Sequence, residues 1–452
     1  MRFYFFFIVW IFSFGTFAQI EGTWSGDIEL PTGNLPFVVH ITQENGKLKA
    51  TADSPQQGAF GIKLDSVHFE NDVLYFDQNQ MMMSYEGTLH KDKTITGSFK
   101  QSGFIFPLNF KNEAYVLNRP QHPEPPFDYH TEEVKFTNSK AKIKLAGTLS
   151  IPNGKGPFPA LVLVTGSGPQ DRDETVFGHK PFLVIADFLT KNGYAVLRYD
   201  DRGVNASEGD FETATTYDFA DDAGAALDYL KTLKSIDSKR IGVLGHSEGG
   251  MVTQILAATR NDIEFIISLA GPGISIDQVM VSQKRTIESK MGVPESHLDL
   301  NDKIFAGIYA IMKKDISSEA IETEIRAFLN SDETYKSISE KELKPIIDLA
   351  HDQWFRTFIK YNPNAYFPKI KTKVLAMNGE KDVQVLAKEN LQGWKDGLTH
   401  NPNVTIKSYP GLNHSFQPAT TGMLNEYATI ETTIAPEVLE DILAWLNEYV
   451  NQ

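Results

Sequence analysis

The stretch Arg240-Ile-Gly-Val-Leu-Gly-His-Ser-Glu-Gly-Gly250, followed by Met-Val-Thr-Gln-Ile-Leu-Ala-Ala, constrains this chain more than any other. It reads as a short buried strand, a Gly-x-Ser-x-Gly turn and an apolar helix. In that context the turn forces Ser247 into a strained backbone conformation, with its hydroxyl clear of the sheet. Gly245 and Gly249 flank it because a Cβ at either position would meet the tightly folded chain. The bland alternative is a Gly-rich turn whose serine bonds only its own backbone.

A serine hydroxyl is a weak nucleophile until a base removes its proton, so the chain must also supply a histidine and a carboxylate. Both are expected on loops after later strands, in the order Ser, Asp or Glu, His. Lys373-Val-Leu-Ala-Met-Asn-Gly379 reads as a buried strand and leads to Asp382. Val404-Thr-Ile-Lys-Ser-Tyr409 alternates as a strand and runs through Pro410-Gly-Leu-Asn to His414. Asp382 is therefore the candidate orienting acid, with Glu380 as a competitor, and His414 the candidate base. Among the 11 histidines, His246 reads as a packed neighbour of the nucleophile and His400 as a surface residue. His179, His297 and His351 lack the loop-after-strand placement. The oxyanion requires two amide donors. One is the N–H of Glu248. The other lies on the loop Gly166-Ser-Gly-Pro169 after the strand Pro159–Thr165 and is assigned to Ser167, with Gly168 as the alternative.

A chain of 452 residues accommodates an α/β core and one smaller module. Its net charge of −15 excludes a nucleic-acid partner held by basic patches. There is no cysteine, hence no disulfide, thiol chemistry or thiolate metal site. Neither HExxH, Walker A nor a dinucleotide glycine motif occurs, so no metal or cofactor is implied. Met1-Arg2, the apolar run Phe3–Phe14 and the small residues Thr16 and Ala18 predict a signal peptide over 1–18. The run is too short to span a bilayer. The expectation is an exported bacterial protein, periplasmic or extracellular, without stable membrane insertion.

Residues 19–115 carry short alternating strands separated by turns, which predicts a small all-β domain, sandwich or barrel. Four prolines between Pro120 and Pro126 predict a semi-rigid linker over 116–132. From 133 to 452 strands and helices alternate, the pattern of a mostly parallel sheet. Within it, about 276–368 shows helical periodicity only. One predicted helix covers Lys344–Tyr361, with Pro345 in its first turn. This insertion is expected to cap the serine.

Three blocks taken together resemble the α/β-hydrolase superfamily, and more narrowly the bacterial carboxylesterases related to serine aminopeptidases. They are Thr165-Gly-Ser-Gly-Pro-Gln-Asp-Arg-Asp173, Tyr199-Asp-Asp-Arg-Gly-Val-Asn-Ala-Ser-Glu-Gly209 and Gly245-His-Ser-Glu-Gly-Gly250. Trp354-Phe-Arg-Thr-Phe358 and Asn378-Gly-Glu-Lys-Asp382 are similar to that group as well. Thr165 stands where many relatives have histidine, and Asn205 where glycine is common. The resemblance implies an α/β-hydrolase fold with a helical cap, preceded by the small β domain. It also implies a serine hydrolase cleaving short-chain carboxylic esters, its partner a small-molecule ester. An aminopeptidase-like activity is the alternative, and a non-catalytic binding protein a further one. The N-terminal domain is a candidate for glycan or cell-surface contact. Asp171, Arg172, Asp173, Asp200, Asp201 and Arg202 either position substrate or pair loop to loop beneath the oxyanion turn.

Overall fold

The computed structural model describes residues 20–30, 33–44, 46–57 and 59–450. The expected signal peptide lies outside them. The chain divides into two units, Met1–Asn118 and Arg119–Gln452.

The first unit is an antiparallel meander of β1 (Gly22–Leu30), β2 (Gly33–Glu44), β3 (Lys47–Ser54), β4 (Ala59–Lys63), β5 (Ser66–Glu70), β6 (Val73–Gln78), β7 (Met83–Leu89), β8 (Thr94–Gln101) and β9 (Phe104–Lys111). They form one sheet in the order β4-β3-β2-β1-β9-β8-β7-β6-β5. Side chains alternate across each strand. Trp24, Val39, Phe76, Tyr85, Ile95 and Phe110 therefore point to one side and share a single core. A sheet that buries one face on itself must curl. Gly87 and Gly97 make room for Tyr85, whose hydroxyl a Cβ at either would approach within 2.5 Å.

The second unit is built on β10 (His130–Asn138), β11 (Ile143–Ile151), β12 (Phe158–Val164), β13 (Ala195–Tyr199), β14 (Ile236–His246), β15 (Phe265–Leu269), β16 (Lys373–Gly379) and β17 (Val404–Tyr409). Their order is β10-β11-β13-β12-β14-β15-β16-β17. β10 and β11 pair antiparallel, as does β11 with β13, and the remaining pairs are parallel. This is the α/β-hydrolase order, with β14 central. Both faces are covered, so the parallel strands are apolar throughout. Leu161 and Leu163 face a layer formed with α1 (Pro181–Lys191) and α10 (Pro436–Tyr449). Ala160, Val162 and Val164 face α2 (Thr216–Lys231), α3 (Glu248–Thr259) and α9 (Ala387–Gly397).

Between β15 and β16 lie α4 (Ile276–Lys290), α5 (Glu295–Met312), α6 (Ser318–Asn330), α7 (Glu340–His351) and α8 (Gln353–Phe358). The single helix expected over 344–361 is two. Asp352 adopts an extended conformation and caps the Phe355 amide at 2.6 Å, ending one helix and starting the next. α7 begins earlier, at a capping box of Ser339 and Glu342, so Pro345 lies inside it rather than in its first turn.

The expected linker over 116–132 is also corrected. Its residues from Arg119 onward belong to the second unit. Arg119 donates to the carbonyls of Phe177, Ala428 and Ile430 at 2.9–3.0 Å. Gln121 donates to the Ile434 carbonyl and accepts from the Thr433 and Ile434 amides. Polar side chains with fixed carbonyl and amide partners turn a Pro-rich stretch into a strap.

Candidate active site

Ser247 sits between β14 and α3 at φ 53°, ψ −115°, a left-handed backbone that costs on the order of 1–3 kcal/mol at a residue bearing a side chain. Its amide donates to the Leu269 carbonyl at 2.8 Å, and the Gly250 amide donates to the Ser247 carbonyl at 2.9 Å. The glycines are steric necessities. A Cβ on Gly245 would lie 2.1 Å from the Gly249 carbonyl oxygen, and one on Gly249 2.2 Å from that of Val164.

His414 and Asp382 converge from the loops after β17 and β16. His414 Nδ1 is 2.7 Å from Asp382 Oδ2, with both residues buried. The other carboxylate oxygen accepts from the amides of Gln384 and Val385 at 2.7 and 2.9 Å, so the acid cannot rotate away. Gly379 permits the two loops to meet, since a Cβ there would be 2.3 Å from the Leu412 carbonyl oxygen. The competing acid, Glu380, is exposed and accepts from the Ser408 hydroxyl. Ser247 and His414 line one cavity.

Of the two residues named for the oxyanion, Ser167 lines this cavity and Glu248 follows Ser247 at the start of α3. The Gly166 amide is occupied by Glu174 Oε1 at 2.8 Å. Ser167 lines the cavity beside Ser247, and a Cβ on Gly166 would lie 3.2 Å from the Ser247 Cβ. Glu248 sits at the N-terminus of α3 with its side chain turned away from the cavity. Its Oε1 accepts from Thr216 Oγ1 at 2.5 Å and from Trp354 Nε1 at 3.0 Å. Burial pushes the Glu248 carboxyl up to about 7, against the pull of those two hydrogen bonds.

The charged loops pair with each other. Arg172 grips Asp200 through Nε and Nη2 at 3.1 and 2.7 Å. Asp201 accepts from Thr165 Oγ1 at 2.9 Å and from the Gln170 amide at 3.0 Å. Arg202 binds Asp222. None of the six residues lines the cavity. Thr165, in the position where relatives carry histidine, thus anchors the oxyanion loop to the loop after β13.

The cavity holds about 160 Å³ and is lined mainly by apolar side chains, among them Phe177, Phe182, Leu269, Phe416, Tyr427 and Ile434. Leu424 stands at its rim, 47% exposed. Most of these walls come from the loops that follow β12 and β17, with Phe182 from α1 and Leu269 from the end of β15, and among the described residues none of 276–368 lines the cavity. The insertion meets the first turns of α3, through Trp354 on Glu248 and Tyr361 on Gln254 at 2.7 Å. Two long loops, from Thr165 to Lys180 and from Pro410 to Ala435, rise over the strand ends first. His179, buried between Thr433 Oγ1 and the Tyr427 carbonyl, ties one loop to the other. Burial, reinforced by the Arg119 charge, lowers its pKa to about 4 and keeps it neutral.

Sequence reasoning missed Glu174 and the part played by His246. Glu174 is buried at φ 53° and faces both Gly166 and His246. Nothing in the run Asp171-Arg-Asp-Glu174 marks the fourth residue as different from the others.

The family model of the X-Pro dipeptidyl-peptidase (S15 family) matches residues 142–407. Esterase EstD of Thermotoga maritima is 31% identical over 272 residues, 60% of this chain and 57% of that protein. The chain thus spans little more than half the length of that relative. Among solved structures, the Pyrococcus furiosus esterase Pf2001 aligns at 20% identity and a TM-score of 0.42, covering 71% of this chain and 93% of the other. Est1E of Butyrivibrio proteoclasticus, with ferulic acid bound, aligns at 17% identity and a TM-score of 0.42, covering 71% and 100%. With more than half of its length matched by the one model, the chain belongs to the X-Pro dipeptidyl-peptidase (S15) family of the α/β-hydrolase superfamily.

Proposed function

We propose that this protein is an exported serine carboxylesterase that cleaves short-chain esters through an acyl-enzyme. The observation that carries the reading is the convergence of Ser247 and the Asp382-bound His414 on one small apolar cavity. His414 takes the Ser247 proton as Oγ attacks the ester carbonyl. The amides of Glu248 and Ser167 receive the oxyanion, and the alcohol leaves with the proton from His414. Water then deacylates the enzyme with His414 as base. About 160 Å³ lies below the roughly 300–1,000 Å³ of sites for drug-sized ligands. That volume supports an acetyl to butyryl group.

The family's name favours a second reading, cleavage of a dipeptide from a peptide N-terminus. Such a substrate needs an acidic anchor for its ammonium group. Among the described residues lining the cavity the one acid is Glu174, whose Oε1 is committed to Gly166 and His246. This supports the ester reading. The relative EstD, named an esterase, supports it as well.

Export is supported by the apolar run Phe3–Phe14 with Ala18 behind it. Among the described residues no helix is long and apolar enough to cross a membrane. Surface contact by the N-terminal unit is supported by Met82, Phe104 and Ile105, exposed on adjacent hairpin tips joined by the Ser102–Met82 hydrogen bond. The reading is tested with p-nitrophenyl esters of rising acyl length beside Xaa-Pro anilides. Turnover should be fastest from acetyl to butyryl. Anilide cleavage exceeding ester cleavage would replace the reading with the peptidase one.

A further inference from the structure

His246, the residue before the nucleophile, makes two hydrogen bonds inside the protein. Its Nε2 lies 3.0 Å from the His414 carbonyl oxygen, and its Nδ1 lies 2.9 Å from Glu174 Oε1. A carbonyl oxygen only accepts, so Nε2 carries a hydrogen. Glu174 Oε1 already accepts from the Gly166 amide at 2.8 Å, so this oxygen faces His246 as an acceptor. Nδ1 must then carry a hydrogen too. Both side chains are shielded from solvent, Glu174 at 5% and His246 at 13% side-chain exposure.

We infer that Glu174 and His246 form an imidazolium–carboxylate pair that positions three parts of the site at once. The Gly166 amide sets the oxyanion loop, the His246 ring follows the end of β14 into Ser247, and the His414 carbonyl fixes the base-bearing loop. The inference rests on the ester reading only for its kinetic consequence.

Other charges facing the ring are few. From the loop after β12 comes Glu174. From the loop after β17 comes His414, its ring centroid 4.7 Å from that of His246. Asp382 lies behind His414 and adds its attraction from the loop after β16. Burial alone would lower the pKa of His246. The charge and hydrogen bond of Glu174, the hydrogen bond to the His414 carbonyl and the charge of Asp382 together outweigh it and leave the group raised. Glu174 also accepts a left-handed backbone, a cost that fixed partners offset.

These are positioning residues, so their removal should alter rate and its pH dependence more than substrate affinity. Glu174→Gln keeps one acceptor oxygen but no charge. Neutral His246 has a single N–H, so with that hydrogen on the His414 carbonyl its bare Nδ1 needs a donor while the Gly166 amide still needs an acceptor, and one atom of the substituted amide cannot serve both. The variant should lose kcat by roughly 10–100-fold at little change in KM. It should also gain a fall in rate on the alkaline side that the wild type lacks. A uniform loss across pH, or none, would overturn the positioning role.

The pair itself is read without substrate in the intact protein, by NMR of ¹⁵N-histidine-labelled wild type with His246→Gln for assignment. Both ring nitrogens of His246 should be protonated at pH 7.5. One unprotonated nitrogen at that pH would overturn the inference even if ester hydrolysis is established. Two protonated nitrogens in a protein without esterase activity would uphold the pair and remove the function instead.

Discussion

Asp382 holds His414 by a 2.7 Å hydrogen bond while its second oxygen is pinned by two backbone amides. The acid is therefore held by the backbone independently of the base, and the tautomer of His414 follows from it: Nδ1 donates and Nε2 is left for the cavity. Asp382→Asn retains the volume but presents a donor to Nδ1 in one amide orientation and no charge in either. Its kcat should fall by about 10⁴-fold with the fold retained, as measured by ester turnover beside thermal unfolding. A loss below tenfold would mean that another carboxylate orients His414.

Arg119 spans two cavity walls, so its loss should show in selectivity. Arg119→Ala frees the carbonyls of Phe177, Ala428 and Ile430. The discrimination between butyryl and octanoyl esters should flatten at least severalfold, with stability lowered by at least about 1.5 kcal/mol. The kcat/KM profile over acyl length checks this, and an unchanged profile would show that the walls stand without the strap.

Glu248 gives stability a specific pH dependence. Its carboxyl titrates near 7 in the folded protein against 4.5 as the ordinary value, because burial disfavours its charge. Between those values the folded state binds more protons than the unfolded one, so this group's contribution falls as pH rises. Glu248→Gln cannot ionise. It should match the wild type near pH 4 and exceed it above pH 7, by at most about 3 kcal/mol. Denaturant midpoints at pH 4 and 8 measure the difference, and equal effects at both would remove burial as the cause.

Leu424 stands at the rim, outside the tightly packed wall. Leu424→Ala should widen the mouth and raise the relative rate on hexanoyl and octanoyl esters, with acetyl turnover changed less than twofold. The same acyl panel decides it. A loss on every ester alike would place Leu424 in the support of the loop.

The legible parts of this chain were those with periodicity. Ala195–Tyr199 is a strand within the bounds its apolar run suggests, and Asp382 and His414 stand after strands because Lys373–Gly379 and Val404–Tyr409 are readable as such. The cavity walls were not legible. The loops Thr165–Lys180 and Pro410–Ala435 owe their shape to carbonyl and carboxylate contacts between distant residues, such as His179 with Thr433 and Glu174 with His246. No local pattern encodes those pairs. The same holds for Arg119, whose partners lie up to 311 positions away. Helical periodicity is readable in the segment between β15 and β16, where α4 to α8 lie, but periodicity says nothing about which surface a helix covers.

Every step of the proposed reaction depends on Ser247 as the nucleophile. The most direct measurement is the rate of p-nitrophenyl butyrate hydrolysis by Ser247→Ala against the wild type at equal concentration, with folding checked by its thermal midpoint. The side chain adds little packing, so the midpoint should hold while the rate falls by several orders of magnitude, about 10⁴-fold or more. A folded variant that keeps a tenth or more of the wild-type rate would contradict the account.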